Sequence, residues 1–251
     1  TGTSPRAIKL GDINGDGKPD MIVGNSNLSA SSVSVYLNTT TTGGTTPTFT
    51  AKTDFSVAGS VLSINICDIN GDGKQDIAGG NFSPSNFSVL INTTTPGAST
   101  PTFSARTDFA SGTGNSGSAF GDINGDGKPD LVSANNSGGS VSVLLNTTTT
   151  GSATPTFATK VDFTTSTFSQ FVSIGDLNGD GKPDLAVAVS NSNIFSVLLN
   201  TTPTGSATPT FSPKTDFTAG NSPRTVSIGD INGDGKPDLA VSNFTDNSVS
   251  V

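Results

Sequence analysis

The chain has 251 residues and a formal charge of −8; all its acids are Asp, and it has no His, no Trp, no Glu and a single cysteine, Cys67. That inventory removes the imidazole and glutamate bases on which most acid–base and triad catalysis relies, and it rules out an intrachain disulfide. No apolar run approaches the roughly eighteen residues of a membrane-spanning helix, and no signal peptide is visible; Thr1 reads either as a mature terminus or as a boundary chosen for expression.

Asp12, Asp68, Asp122, Asp176 and Asp230 open the same nine-residue segment at intervals of 56, 54, 54 and 54 residues. Such a period marks a repeat architecture. It predicts a single repeat domain over 1–251, with units near 1–55, 56–109, 110–163, 164–217 and 218–251. The first unit's two extra residues fall within 24–32, which is therefore a loop.

Within a unit, Val226-Ser-Ile-Gly229 alternates apolar with small or polar residues and reads as a first strand leading into the Asp segment. Leu239-Ala-Val-Ser242 follows, too short and too rich in β formers for a helix, and makes a second strand. Ser140 to Leu145, repeated as Ser32 to Leu37, Ser88 to Ile91 and Ser196 to Leu199, is a third strand, apolar on both faces near its end as a sheet covered on both sides requires. Pro101 to Phe109 and its equivalents read as a Pro-flanked edge strand. Four short antiparallel strands at this period predict an all-β chain, a β-propeller of about five four-stranded blades. The last blade is incomplete, since Val251 falls inside a third strand. This leaves open an unclosed ring, a ring closed by another chain, or one segment of a longer array.

The repeated segment is Asp-x-Asn-Gly-Asp-Gly-Lys-x-Asp. Its oxygen-bearing positions are Asp12, Asn14, Asp16, Lys18 and Asp20 in the first copy, and Asp68, Asn70, Asp72, Lys74 and Asp76 in the second. The third has Asp122, Asn124, Asp126, Lys128 and Asp130, the fourth Asp176, Asn178, Asp180, Lys182 and Asp184, and the fifth Asp230, Asn232, Asp234, Lys236 and Asp238. Positions 1, 3, 5 and 9 offer side-chain oxygens and the Lys a backbone carbonyl, while the Gly at position 6 permits a sharp turn around one centre. Hard oxygen donors in that number favour Ca²⁺ over zinc, copper or Mg²⁺. An ordinary Asn-Gly or Asp-Gly hairpin turn accounts for one copy, but not for three aspartates kept in all five. Fifteen of the 20 acids lie in these loops, so five ions would bring the formal charge to about +2.

The stretch Gly-Asp-Ile-Asn-Gly-Asp-Gly-Lys-Pro-Asp-Leu resembles the FG-GAP/VCBS repeats of bacterial surface proteins and, more distantly, the propeller of integrin α subunits. The resemblance covers the whole chain in five copies, although the Gly-Ala-Pro after the second strand is absent. It implies Ca²⁺ in the hairpin between the first and second strands of each blade, serving rigidity, with glycan or protein ligands on the opposite face. Connections at that opposite end diverge most between copies. Function is accordingly expected to be non-enzymatic: a secreted or cell-surface recognition or adhesion module, or else a structural repeat of a filament or array that associates through the fifth blade. Neither nucleic-acid binding nor membrane insertion is expected. Phe168, Phe171, Phe195 and Phe244, which do not recur, are the candidate ligand aromatics. Phe49, Phe103, Phe157 and Phe211, with Phe55, Phe109, Phe163 and Phe217, recur once per unit each and read as core between blades. Cys67 replaces a recurring Gly and reads as a small buried residue. Asn38, Asn92, Asn146 and Asn200 open Asn-Thr-Thr, a turn and a glycosylation sequon.

Overall fold

The computed structural model describes residues 2–27 and 30–251, so Leu28 and Ser29, in the first unit's extra loop, lie outside it, as does Thr1. The chain divides into two compact units, residues 1–110 with 147–156, and 111–146 with 157–251. The first holds two sheets: β1 Pro5–Gly11, β2 Asp20–Asn25, β3 Ser32–Tyr36 and β4 Thr53–Ser56, then β5 Val61–Cys67, β6 Asp76–Asn81, β7 Asn86–Leu90 and β8 Thr107–Ala110. The second holds three: β9 Asn115–Gly121, β10 Asp130–Asn135, β11 Ser140–Leu144 and β12 Val161–Thr164; β13 Ser169–Gly175, β14 Asp184–Val189, β15 Ile194–Leu198 and β16 Thr215–Thr218; and β17 Pro223–Gly229, β18 Asp238–Asn243 and β19 Ser248–Ser250. Every sheet is an antiparallel meander in chain order, and the fifth has three strands among the described residues.

Each nine-residue segment closes the first hairpin. Its last Asp pairs across with the residue before its first, as in Gly11↔Asp20 and Cys67↔Asp76. β6, β10 and β14 are buried along their whole length, which explains why second strands carry no exposed polar positions. The outer strand is shorter than the sequence predicts. In the second sheet only Thr107–Ala110 is strand, while Phe103 makes an isolated bridge to Asn92, because the intervening residues leave the ladder.

Apolar cores form between consecutive sheets inside each unit. In the first, Val33, Val35, Leu37 and Ile13 pack with Val61, Ile64, Ile77 and Leu90. In the second, Val141, Val143 and Leu145 pack with Val172, Leu185 and Leu198. Each fully buried side chain of this size contributes roughly 1.5–3 kcal/mol. The recurring phenylalanines seal these contacts edge to face, Phe55 on Phe103 and Phe163 on Phe211, both with centroids 4.8 Å apart. Phe49 and Phe217 depart from the expected pattern, being 39% and 45% exposed.

A polar ladder crosses each four-stranded sheet. Asn25 Nδ2 donates to Ser34 Oγ (2.8 Å), whose hydroxyl donates to Asp54 Oδ1 (2.5 Å), and Lys52 pairs with Asp54. Ser88 to Asp108 (2.8 Å), Ser142 to Asp162 (2.5 Å) and Ser196 to Asp216 (2.7 Å) repeat it. These serines are fully buried, so the carboxylate is what satisfies their hydroxyls. Burial by itself would raise the Asp54 and Asp216 carboxyls. Hydrogen bonds from Lys52 and Ser34, and from Lys214 and Ser196, outweigh it and hold both below the ordinary value.

Candidate metal centre

The five Asp loops share one internal geometry. The position-1 carboxylate accepts from the N–H groups of positions 5 and 6: Asp12 from Asp16 (3.1 Å) and Gly17 (2.7 Å), Asp122 from Asp126 (3.0 Å) and Gly127 (2.8 Å). The Asn oxygen at position 3 accepts from the same position-5 N–H, at 3.3 Å for Asn14, 3.2 Å for Asn70 and Asn124, 3.0 Å for Asn178 and 2.8 Å for Asn232. The position-5 carboxylate accepts from the Lys N–H, as in Asp16 from Lys18 (3.0 Å) and Asp180 from Lys182 (2.9 Å). Such a tight coil of donors requires φ of +68° at Gly15 and +83° at Gly17, where a side chain would be strained.

Position 9 does more than the sequence indicates. Asp20 Oδ2 accepts from Ile13 N (2.8 Å) and Oδ1 from Asn38 N (2.7 Å), tying the hairpin to the turn after the third strand. Asp76 does the same with Ile69 and Asn92, Asp130 with Ile123 and Asn146, and Asp184 with Leu177 and Asn200. All four of these aspartates are fully buried. Burial raises their carboxyls, and the position-5 acids add repulsion, against the lowering effect of the backbone donors. Asp76 is pushed up to about 6 and Asp130 to about 7. Asp238, only half-buried, accepts from Ile231 (2.9 Å) and Asn232 (3.3 Å).

The donor set is chemically suited to a hard cation, being carboxylate, amide and carbonyl oxygen alone. Asp12 Oδ1 and Asn14 Oδ1 both converge on Asp16 N, so two of the predicted ligands already share a focus. Among the described residues no three acidic side chains come close enough together to make a coordination shell as they stand, since each carboxylate is turned onto a backbone N–H. The residues fit the ion by charge and donor type. Asp12, Asn14, Asp16 and Asp20, with the Lys18 carbonyl, would hold it, and the same positions would do so in the other four loops.

Sequence reasoning singled out the asparagines that open Asn-Thr-Thr as turn residues but missed what their side-chain amides hold. Asn92 Nδ2 donates to Ile13 O (2.8 Å) and Gln75 O (3.0 Å), and Asn200 Nδ2 to Ile123 O (2.8 Å) and Pro183 O (3.1 Å). Asn92, Asn146 and Asn200 are buried, so to the expected turn role these side chains add that of a structural anchor. Cys67 is half-buried rather than buried, and desolvation, with Asp76 and Asp68 nearby, raises its thiol far above the ordinary value.

At the opposite end of the sheets the candidate aromatics separate. Phe168, with φ of +70° in a region bulky side chains avoid, is 42% exposed, and Phe244 is 66% exposed beneath the Arg224 guanidinium, 4.9 Å from its centroid. Arg224 also reaches Gln170 Oε1 (3.4 Å), and Asp246 accepts from Asn221 N (2.6 Å) and Nδ2 (2.7 Å). Phe171 is half-buried, and Phe195 stacks on Phe217, 5.1 Å between centroids. No helix among the described residues is long and apolar enough to cross a membrane.

A comparison with curated proteins returned no match. Among solved structures, the chain is similar to the biofilm matrix protein Bap1 of V. cholerae at 17% identity and a TM-score of 0.49, covering 96% of this chain and 34% of that one. It is also similar to the Photorhabdus luminescens Tc holotoxin pore, at 17% identity and a TM-score of 0.37, covering 94% of this chain and 13% of that one. The chain thus spans about a third or less of the structures it resembles. The family model of the FG-GAP-like repeat matches residues 12–79, 68–133, 122–187 and 176–241, each match running from one Asp loop through the next. The chain belongs to the FG-GAP-like repeat family.

Proposed function

We propose that this repeat module is a Ca²⁺-stabilised, non-enzymatic recognition or adhesion unit of the extracellular space or cell surface, its sheets arranged as the blades of a β-propeller. The observation that carries the metal reading is the buried position-9 carboxylate beside further acids in every four-stranded repeat. Asp76 and Asp130 sit where ionisation is disfavoured, and a divalent cation supplies the missing charge. Sites of moderate affinity fill at extracellular calcium levels, which supports the location. An assignment without catalysis is supported by the absence of His and Glu from the sequence and by a thiol held in its unreactive form.

Ligand recognition is placed on the Phe168, Arg224 and Phe244 surface. A bulky residue held at positive φ with its ring in solvent is a form of strain that binding sites retain. Aromatic faces flanked by amide and guanidinium groups suit a glycan or a polar protein loop. Glycan-array binding in calcium buffer tests this: Phe168→Ala and Arg224→Ala are expected to abolish the signal without lowering the melting temperature. A signal unchanged in both variants would contradict the placement.

One observation favours a structural role in an assembly. An apolar groove of about 310 Å³ is lined by Leu177, Phe195, Leu199, Phe217, Pro237 and Leu239, and Ile231 and Val249 stand 58% and 64% exposed. Sedimentation of the intact chain separates the two readings. A monomer at all concentrations supports recognition, whereas reversible association abolished by Phe217→Ser supports assembly.

A further inference from the structure

The fourth sheet departs from the repeat at the end away from its Asp loop, and the departures meet in one place. Phe168 occupies a left-handed position that Gly114 (φ +77°) and Ser222 (φ +58°) fill in the connections before and after it. The backbone bond made there does not need a ring. Asn136 N donates to Gly114 O (2.8 Å) and Phe244 N to Ser222 O (3.0 Å), just as Ser190 N donates to Phe168 O (3.1 Å). Val189 stands where the second strands of the other sheets end on Asn25, Asn81, Asn135 and Asn243, and a 3₁₀ turn, Ser190–Ser192, follows it. Gln170 lies in the bulge of β13, where the register shifts between Ser169 and Phe171.

These residues are bonded to one another. Phe168 N donates to Asn136 O (2.7 Å), Ser190 Oγ to Phe168 O (3.4 Å), and Gln170 Nε2 to Ser190 Oγ (3.0 Å). Arg224 donates to Gln170 Oε1 (3.4 Å), which fixes the amide with its NH₂ group on Ser190 and leaves one N–H over. A bulky side chain at positive φ is strained where Gly is not, and the Phe168 ring, 42% exposed, has no backbone role to offset that strain. Residues 111–116, 136–140, 164–171 and 189–194, which make up this end of the third and fourth sheets, contain no Asp, Lys or Arg. A charged ligand would find no partner among them. An aromatic face, negative at its centre, attracts the C–H groups of a sugar ring, and an amide N–H suits a hydroxyl oxygen.

From this arrangement we infer that the end of the third and fourth sheets is a subsite for a neutral glycan, one pyranose stacking its C–H face on Phe168 while a hydroxyl accepts from Gln170 Nε2. Ser190 and Arg224 are positioning residues that hold the amide in that orientation. The inference rests on the reading of this end of the sheets as a recognition surface, and it narrows the ligand to an uncharged sugar. Few but fixed polar groups beside an aromatic face are what orient a small ligand.

Saturation-transfer NMR of the intact chain in calcium buffer tests it, with cellohexaose, maltohexaose and mannohexaose as neutral probes and hexagalacturonate as the anionic one. A neutral probe is expected to bind, with transfer concentrated on the C–H protons of one ring face, and to bind more tightly than hexagalacturonate. Phe168→Leu keeps an apolar side chain at the same backbone angle but removes the ring, and should weaken binding about tenfold. Gln170→Leu should weaken it by a similar factor. Phe82→Ser, which removes an exposed ring of the second sheet, should leave it unchanged. Hexagalacturonate binding as tightly as every neutral probe, an affinity untouched by Phe168→Leu or Gln170→Leu, or an equal loss in Phe82→Ser would overturn the neutral subsite while leaving glycan recognition standing. No binding by any probe would overturn both.

Discussion

At the hairpin end of the third sheet, Asp130 is fully buried with both oxygens taken by backbone N–H groups, whereas at the far end of the fourth and fifth sheets Phe168 and Phe244 stand 42% and 66% exposed. The first arrangement recurs almost atom for atom in the second and fourth sheets. The second occurs once. Residues that carry backbone accounting cannot vary between copies without orphaning a buried donor, while residues that project from a finished sheet can. Backbone accounting is therefore concentrated at the hairpin ends, and the side chains free to differ between copies lie at the others.

The largest test of this contrast is removal of a position-9 carboxylate. Asp130→Ala orphans Ile123 N and Asn146 N and is expected to cost about 3 kcal/mol, even in chelator. Asp126→Ala, at an exposed position in the same loop, should cost less than about 1 kcal/mol in chelator yet remove one calcium site in titration. Equal losses in denaturant unfolding would break the contrast between a structural and a metal-facing acid.

Next in size is a pH effect confined to the metal-free protein. Asp76 and Asp130 have folded values raised to about 6 and about 7 from an ordinary 3.8. The folded state therefore binds more protons than the unfolded one between about pH 4 and 7. Their contribution is fully present below the ordinary value and lost as pH rises through 6 to 7. In EGTA the melting temperature should consequently be higher at pH 5 than at pH 8. In saturating calcium the order should reverse, because protons and the ion compete for the same loops. A melting temperature independent of pH in EGTA would show that these carboxylates are not desolvated.

The ladder across the sheets gives a smaller effect. Ser142 Oγ accepts from Gly112 N and Asn135 Nδ2, both at 2.9 Å, and donates to Asp162, so Ser142→Ala should cost about 1–2 kcal/mol. Smallest of all is Phe244→Ala, expected to change stability by less than about 0.5 kcal/mol because the ring is largely exposed beneath Arg224.

The repeat, its hairpins and its four strands were legible because period-2 patterning and a fixed spacing are local properties. Asp20 and Asp130 were recognisable as loop acids for the same reason. Their bonds to Asn38 and Asn146 were not, since those partners lie 18 and 16 residues away and donate through backbone that no side-chain motif reports. The anchoring role of Asn92 depends on Ile13, 79 residues distant in another sheet. The outer strand was overestimated because Pro-Thr-Phe has strand-like composition, yet Phe103 serves to cap Phe55 and only bridges Asn92. One missed feature did leave a signal: each ladder Ser precedes its Asp by 20 residues in four successive units.

Thermal unfolding of the intact chain in calcium and in excess EGTA bears most directly on the claim that the Asp loops are ion sites. An ion held at a hundred times its Kd adds about 2.7 kcal/mol per independent site, so two such sites already correspond to a fall of about 10–20 °C on chelation. The account predicts a fall of at least that size, restored when calcium is returned. A melting temperature unchanged by EGTA would contradict it.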